Sequence, residues 1–132
     1  AKLLAGGKPV DPKRNVFAAT LLTDTKHSMK VDCAEVFGPI AVVESVKDFA
    51  AGIARVNDSN YGLQAGVFTN NFNHVKKAHE ELEVGGVIIN SIPGFRVDSM
   101  PYGGIKQSGL GREGVRWAIQ DMTEERLLVV RG

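Results

Sequence analysis

The stretch of this chain most suggestive of chemistry is GLGREG at residues 109–114, a literal G-x-G-x-x-G. Glycines at that spacing allow a turn whose backbone N–H groups, at a helix N-terminus, hold the pyrophosphate of a dinucleotide. Such a site also needs a buried strand ahead of the first glycine, a helix behind it, and an acidic residue about 20 positions later for the ribose. A helical pattern does follow, but GGIKQS precedes the motif and the position for the acid falls past Gly132. A mononucleotide phosphate loop fails as well. Gly104 and Gly109 have its spacing, yet Leu110 stands where the lysine must be. The glycines read instead as a tight turn packed closely ahead of a helix.

The other reactive side chains form no constellation. Cys33 is the single cysteine, so no internal disulfide is possible, which fits a reducing cytoplasm. Nothing in its neighbourhood supplies a helix start or a histidine to stabilise a thiolate, and an inert, partly buried thiol is expected. His27, His74 and His79 show no metal-ligand spacing with carboxylates or with Cys33, so no metal is expected. KKAHEELE at 76–83 reads as a solvated helix face.

The elements that would position a site follow from hydrophobic period. KLLAGGK and NVFAATLLTD in the first 30 residues are short apolar runs broken by glycine, proline and charge, which predicts a hairpin. HSMKVDCAEVFGP looks irregular. IAVVES at 40–45 is a strand, and Ser45 is placed to cap a helix carrying Phe49, Ile53 and Val56 on one face. LQAGVFT is the next strand. Asn71 caps a second helix with Val75, Ala78 and Leu82 on its stripe, and VIIN is a third strand. This alternation predicts an α/β fold, a parallel-sheet βαβαβ unit with an N-terminal hairpin. Residues 91–110 form a long Gly- and Pro-rich loop, a length usually functional or packed on something. A helix from about Gly111 to Met122 and a closing strand in ERLLVV complete the chain.

The 132 residues suffice for one domain with a core, and 43% hydrophobic with 23% charged residues is ordinary for a soluble protein. A net charge of +1 argues against nucleic acid or an anionic membrane as partner. No apolar run approaches the ~20 residues of a membrane span, and AKLLAGGKPV lacks the apolar centre of a signal peptide.

Four stretches then fall into a family pattern. EVFGP at 35–39, NDSNYGLQAGVFT at 57–69, GGVIIN at 85–90 and PYGGIKQSGLGRE at 101–113 are ordered and spaced as in the C-terminal part of the aldehyde dehydrogenase superfamily, which the whole chain resembles. The resemblance implies that residues 1–123 are the later part of the catalytic domain and 124–132 a terminal oligomerisation strand. It implies an enzyme that oxidises a short aldehyde to its acid with NAD or NADP, through a thiohemiacetal on a cysteine upstream of this chain and a glutamate-activated water. The cofactor would lie mainly on a domain absent from this chain, so GLGREG would not hold its pyrophosphate.

Within this segment the resemblance assigns no catalytic residue. Glu35 matches the glutamate that holds the ribose hydroxyls beside the nicotinamide, and Phe37 the aromatic packed against that ring. A surface ion pair for Glu35 and a core position for Phe37 are the plain alternatives. NSIPGFRVDSM at 90–100 matches the loop lining the substrate tunnel, with Phe95 as a pocket wall. FRVD ahead of MPYGG resembles members acting on phosphonoacetaldehyde, glyceraldehyde 3-phosphate, lactaldehyde or succinate semialdehyde, and Arg96 offers bidentate donors to an anionic tail. Alternatively Arg96 pairs with Asp98 and stiffens the loop. Ala19 stands where the family usually has proline. A homo-oligomer, dimer or tetramer, in the cytoplasm is implied for the parent protein, and the isolated chain is expected to be inactive. A non-catalytic structural or binding protein on the same scaffold is the rival reading, and an enzyme using Cys33 alone is another.

Overall fold

A computed structural model describes all of residues 1–132, as two compact units, Ala1–Gly52 and Ile53–Gly132. In the first unit β1 (Lys2–Ala5) pairs antiparallel with β4 (Thr20–Thr23), which pairs in parallel with β5 (Ile40–Val42). Between β1 and β4 lies the small hairpin of β2 (Pro9–Asp11) and β3 (Val16–Phe17). Its turn is a single 3-10 turn, Pro12–Arg14, started by Asp11 accepting from the Lys13 N–H and ended by Asn15 at φ 54°. Proline at the first helical position costs no hydrogen bond, and asparagine tolerates the left-handed exit. Thr20 is the buried polar residue of this sheet. Its hydroxyl accepts from Gly7 N at 2.9 Å and donates to Ala18 O at 2.8 Å, so neither role is left unmet.

The stretch between β4 and β5 contains a short helix, α1 (Lys30–Cys33). Helix α2 (Phe49–Asn57) is started by Asp48, whose carboxylate accepts from Ala51 N at 2.7 Å. Ser45 was the expected cap. The aspartate three residues later is adjacent to the first helical residue, where a carboxylate also meets the positive end of the helix dipole.

In the second unit β7 (Gln64–Val67) runs parallel to β8 (Gly86–Ile89), joined through α3 (Phe72–Glu81). Asn71 caps α3 as expected, accepting from Asn73 N at 2.9 Å. The two parallel pairings and the helices between strands make the chain α/β. The strand at 40–42 takes β4 as its neighbour, while β7 and β8 form a sheet of their own. Alternation along the sequence reveals parallel strands but not which strand neighbours which.

Residues 91–110 are more ordered than a loop. β6 (Tyr61–Gly62) and β9 (Ile105–Lys106) pair antiparallel, and Tyr102 bridges Glu113. The Lys106 ammonium lies 2.6 Å from Glu83 and donates to the carbonyls of Asn57 and Ser59. Helix α4 (Val115–Asp121) begins later than expected, because Gly109, Gly111 and Gly114 all take positive φ. Its stripe is open, with Val115 74%, Ile119 57% and Met122 84% exposed. ERLLVV has no ladder within this chain, and Leu127 through Val130 are exposed. The single, well-filled core expected from length is therefore absent. Ile53 and Ala78 are the buried hydrophobic residues.

Candidate functional site

In the first unit, the stretch from Asp24 to Pro39 carries Glu35 and Phe37. Asp24 turns the chain at φ 53°. Asp32 then anchors it from inside. Its carboxylate is 2% exposed, accepts from the Thr25 hydroxyl at 2.9 Å, and lies 3.7 Å from His27 Nδ1. A buried carboxylate held by a hydroxyl and faced by an imidazole is an expensive group to leave unpaired, so this contact fixes the start of α1. At the far end the Pro39 carbonyl accepts from Thr20 N at 2.8 Å, which ties the segment back to β4.

Between these anchors Glu35 and Phe37 project outward. Glu35 forms no ion pair and no side-chain hydrogen bond within this chain. Phe37 is 93% exposed, so it is not a core aromatic of this chain. A bare ring in water forgoes roughly 2 kcal/mol of burial, a surface suited to a flat partner. The carboxylate two residues earlier accepts hydrogen bonds and donates none. Cys33, at the end of α1, is a free, half-buried thiol.

In the second unit the 90–96 segment is fastened to β7. Asn90, at φ 55°, donates its N–H to Val67 O at 2.8 Å and accepts from Thr69 N at 2.8 Å through its side chain. Gln64 Nε2 donates to the carbonyls of Pro93 at 2.7 Å and Phe95 at 3.2 Å. Phe95 is 49% exposed. Arg96 does not pair with Asp98. Its Nη2 lies 2.8 Å from Glu113 Oε2, and its guanidinium carbon stands 4.3 Å from the centroid of the Tyr102 ring. The reason is local. Tyr102 and Glu113 bridge each other through their backbones, so ring and carboxylate flank one place, whereas Asp98 leaves on a separate turn.

GLGREG is a structural turn. Gly103 approaches the Gly111 carbonyl so closely that a Cβ on Gly103 would stand 2.6 Å from it. Arg112 spends Nη1 on the carbonyls of Gly104 and Gly111. The hollow beside the turn, of about 280 Å³, is lined by Leu63, Tyr102, Ser108 and Glu113 among the glycines. The Glu113 carboxylate in the wall opposes a pyrophosphate, and the Arg112 guanidinium is spent on backbone carbonyls instead of facing the hollow. No group of three or more His, Cys, Asp or Glu side chains is arranged to hold a metal ion, and no helix is long and apolar enough to cross a membrane.

Sequence reasoning passed over Gln64, Tyr102 and Glu113. The one available signal was a long amide inside the otherwise apolar run LQAGVF, a residue that must satisfy its donors somewhere.

Comparison with known proteins identifies the family. The aldehyde dehydrogenase family model matches residues 1–128. The chain is 47% identical over 130 residues to a 3-sulfolactaldehyde dehydrogenase of Priestia aryabhattai, covering 98% of this chain and 27% of that protein. Its structure is similar to that of aldehyde dehydrogenase 21 of Physcomitrella patens in complex with the reaction product succinate, with a TM-score of 0.91 and 42% identity over 98% of this chain and 26% of that one. It is also similar to the glyceraldehyde-3-phosphate dehydrogenase of Methanocaldococcus jannaschii complexed with NADP, with a TM-score of 0.81 and 40% identity over 92% of this chain and 25% of that one. The chain thus spans about a quarter of the length of these relatives, 25–27%.

Proposed function

The chain belongs to the aldehyde dehydrogenase family, and from that premise we propose that it works within a longer polypeptide that oxidises a short aldehyde to its carboxylic acid. Relatives named for 3-sulfolactaldehyde and glyceraldehyde 3-phosphate, and one whose structure holds the reaction product succinate, support a substrate with an anionic or hydroxylated tail. The nucleophilic cysteine and the water-activating glutamate are assigned to the remainder of that polypeptide, and residues 1–123 to the catalytic domain. Bound NAD or NADP supplies the hydride acceptor. Glu35 would accept hydrogen bonds from the two ribose hydroxyls, and Phe37 would pack beside the nicotinamide. Together they would position the ring for hydride transfer. Phe95 walls the aldehyde pocket. Arg96, held in place by Glu113 and Tyr102, keeps further N–H donors for the tail, since a guanidinium has five and Glu113 takes one.

The observation that carries the reading is the unpaired carboxylate of Glu35 two residues ahead of the bare ring of Phe37, in a chain whose family match runs from residue 1 to 128. The test is aldehyde-dependent NAD(P)H formation by the full-length protein, with a short hydroxylated or anionic aldehyde as substrate. Turnover that survives Cys33→Ala supports the reading. Absence of turnover with every such aldehyde and either cofactor refutes it.

The terminal segment 124–132 is assigned, on the same premise, to the oligomerisation sheet of a homo-oligomer. Its row of exposed apolar residues is the support, since an unpartnered apolar strand promotes aggregation.

A further inference from the structure

Gln64 opens β7, and its ladder partner on β8 is Gly86. The glutamine side chain uses the room that glycine leaves: a Cβ on Gly86 would stand 2.8 Å from Gln64 Oε1. From there Nε2 reaches the carbonyls of Pro93 and Phe95. Two carbonyl acceptors demand a group with two donors, so acceptor chemistry fixes which end of the amide faces the loop. The other end bears a cost. Gln64 Oε1 is shut off from solvent and has no hydrogen-bond partner. A buried acceptor is left unsatisfied while the opposite end of the same amide holds two backbone groups of one loop.

Gly66 lies on the same face of β7, two residues on. A Cβ there would stand 2.6 Å from Ser91 O and 3.2 Å from Pro93 Cδ. The backbone of 91–95 therefore rests on β7 without an intervening side chain, and Gln64 clasps its far end. Phe95 leaves this clasped backbone directly.

We propose that Gln64 is a specificity-determining positioning residue: by holding the Pro93 and Phe95 carbonyls, it makes the Phe95 ring a fixed wall of the aldehyde pocket. The inference rests on the assignment of the 90–100 segment to the substrate tunnel. Gln64 touches no substrate and acts through the loop. A clasped wall discriminates by size, because a substrate too large must break the clasp to enter. An unclasped loop yields, so bulky and short aldehydes converge.

Three variants of the full-length enzyme test this. Gln64→Met keeps length and volume but removes the donors. Gln64→Glu keeps the shape and sets a carboxylate against two carbonyl oxygens. Gly66→Ala lifts the loop from below with Gln64 intact, and it is independent of any folding defect at position 64. Two readouts are taken, hydrogen exchange of the amides of 91–97 and the ratio of kcat/KM for propanal over benzaldehyde. Alkylation of the catalytic thiol by iodoacetamide reports on the integrity of the catalytic centre. With two neutral hydrogen bonds lost, exchange should quicken and the ratio fall by about tenfold in Gln64→Met, more in Gln64→Glu, with alkylation unchanged. Gly66→Ala should shift both readouts in the same direction. Wild-type exchange or a wild-type ratio in Gln64→Met, in an enzyme that remains active, overturns the role of Gln64 alone. A wild-type enzyme inactive on these two and on short anionic or hydroxylated aldehydes alike instead overturns the functional reading beneath it.

Discussion

Replacing Arg96 by alanine removes an ion pair and a cation–π contact together, and the structure sets how large each loss should be. The Arg96 and Glu113 side chains are 47% and 65% exposed, so solvent screens the pair. A pair of that kind contributes about 0.2–1 kcal/mol, and an exposed cation over a tyrosine ring about 0.5–1 kcal/mol. If Arg96 only braces its loop, the expected loss in kcat/KM is about 3- to 30-fold, the same for every aldehyde. If the guanidinium also grips an anionic tail, a charge-assisted hydrogen bond of about 1.5–3 kcal/mol is lost as well. That adds a further factor of about 10 to 150 for the anionic substrate alone. The assay is kcat/KM for an anionic short aldehyde and for propanal, in the wild-type enzyme, Arg96→Ala and Glu113→Ala. Gripping predicts that Arg96→Ala penalises the anionic aldehyde selectively. It also predicts that Glu113→Ala does not, because the guanidinium survives there. Equal losses for both aldehydes, reproduced by Glu113→Ala, would refute anion recognition and leave Arg96 as a brace.

Three further outcomes are expected. Glu35→Gln in the full-length enzyme should slow NAD(P)H formation in a single turnover by tenfold or more, about 1.4 kcal/mol, while thiol alkylation keeps its rate; an unchanged single-turnover rate would remove Glu35 from the cofactor site. Deleting residues 124–132 should convert the oligomer to monomer or aggregate, and light scattering that shows the original assembly would refute the assignment of this segment. The 132-residue chain expressed alone should show no aldehyde oxidation, and turnover by it that is lost on Cys33→Ala would make Cys33 the nucleophile.

Local patterns, which depend only on neighbouring residues, were fixed by the sequence alone. Helices α2 and α3 follow from apolar period, and the Asn71 cap from residue type, because both are decided within a few residues along the chain. The reading of GLGREG as a tight glycine turn was also legible, from GGIKQS standing where a pyrophosphate turn needs a buried strand. The family was legible because its motifs are short, ordered runs. The tertiary structure alone decided where polar side chains found partners. Arg96 sits two positions from Asp98 in sequence, yet its carboxylate partner is Glu113, because the Tyr102–Glu113 bridge carries that group back to it. Gln64, a long amide in an apolar run, had to satisfy its donors somewhere, but only folding showed that their partners are carbonyls 29 and 31 residues away. Helix α4 shows the reverse limit: its apolar stripe follows the helical period, but no partner within the chain covers it. Period tells which face is apolar. What covers that face depends on chain far away in sequence, and only folding brings such segments together.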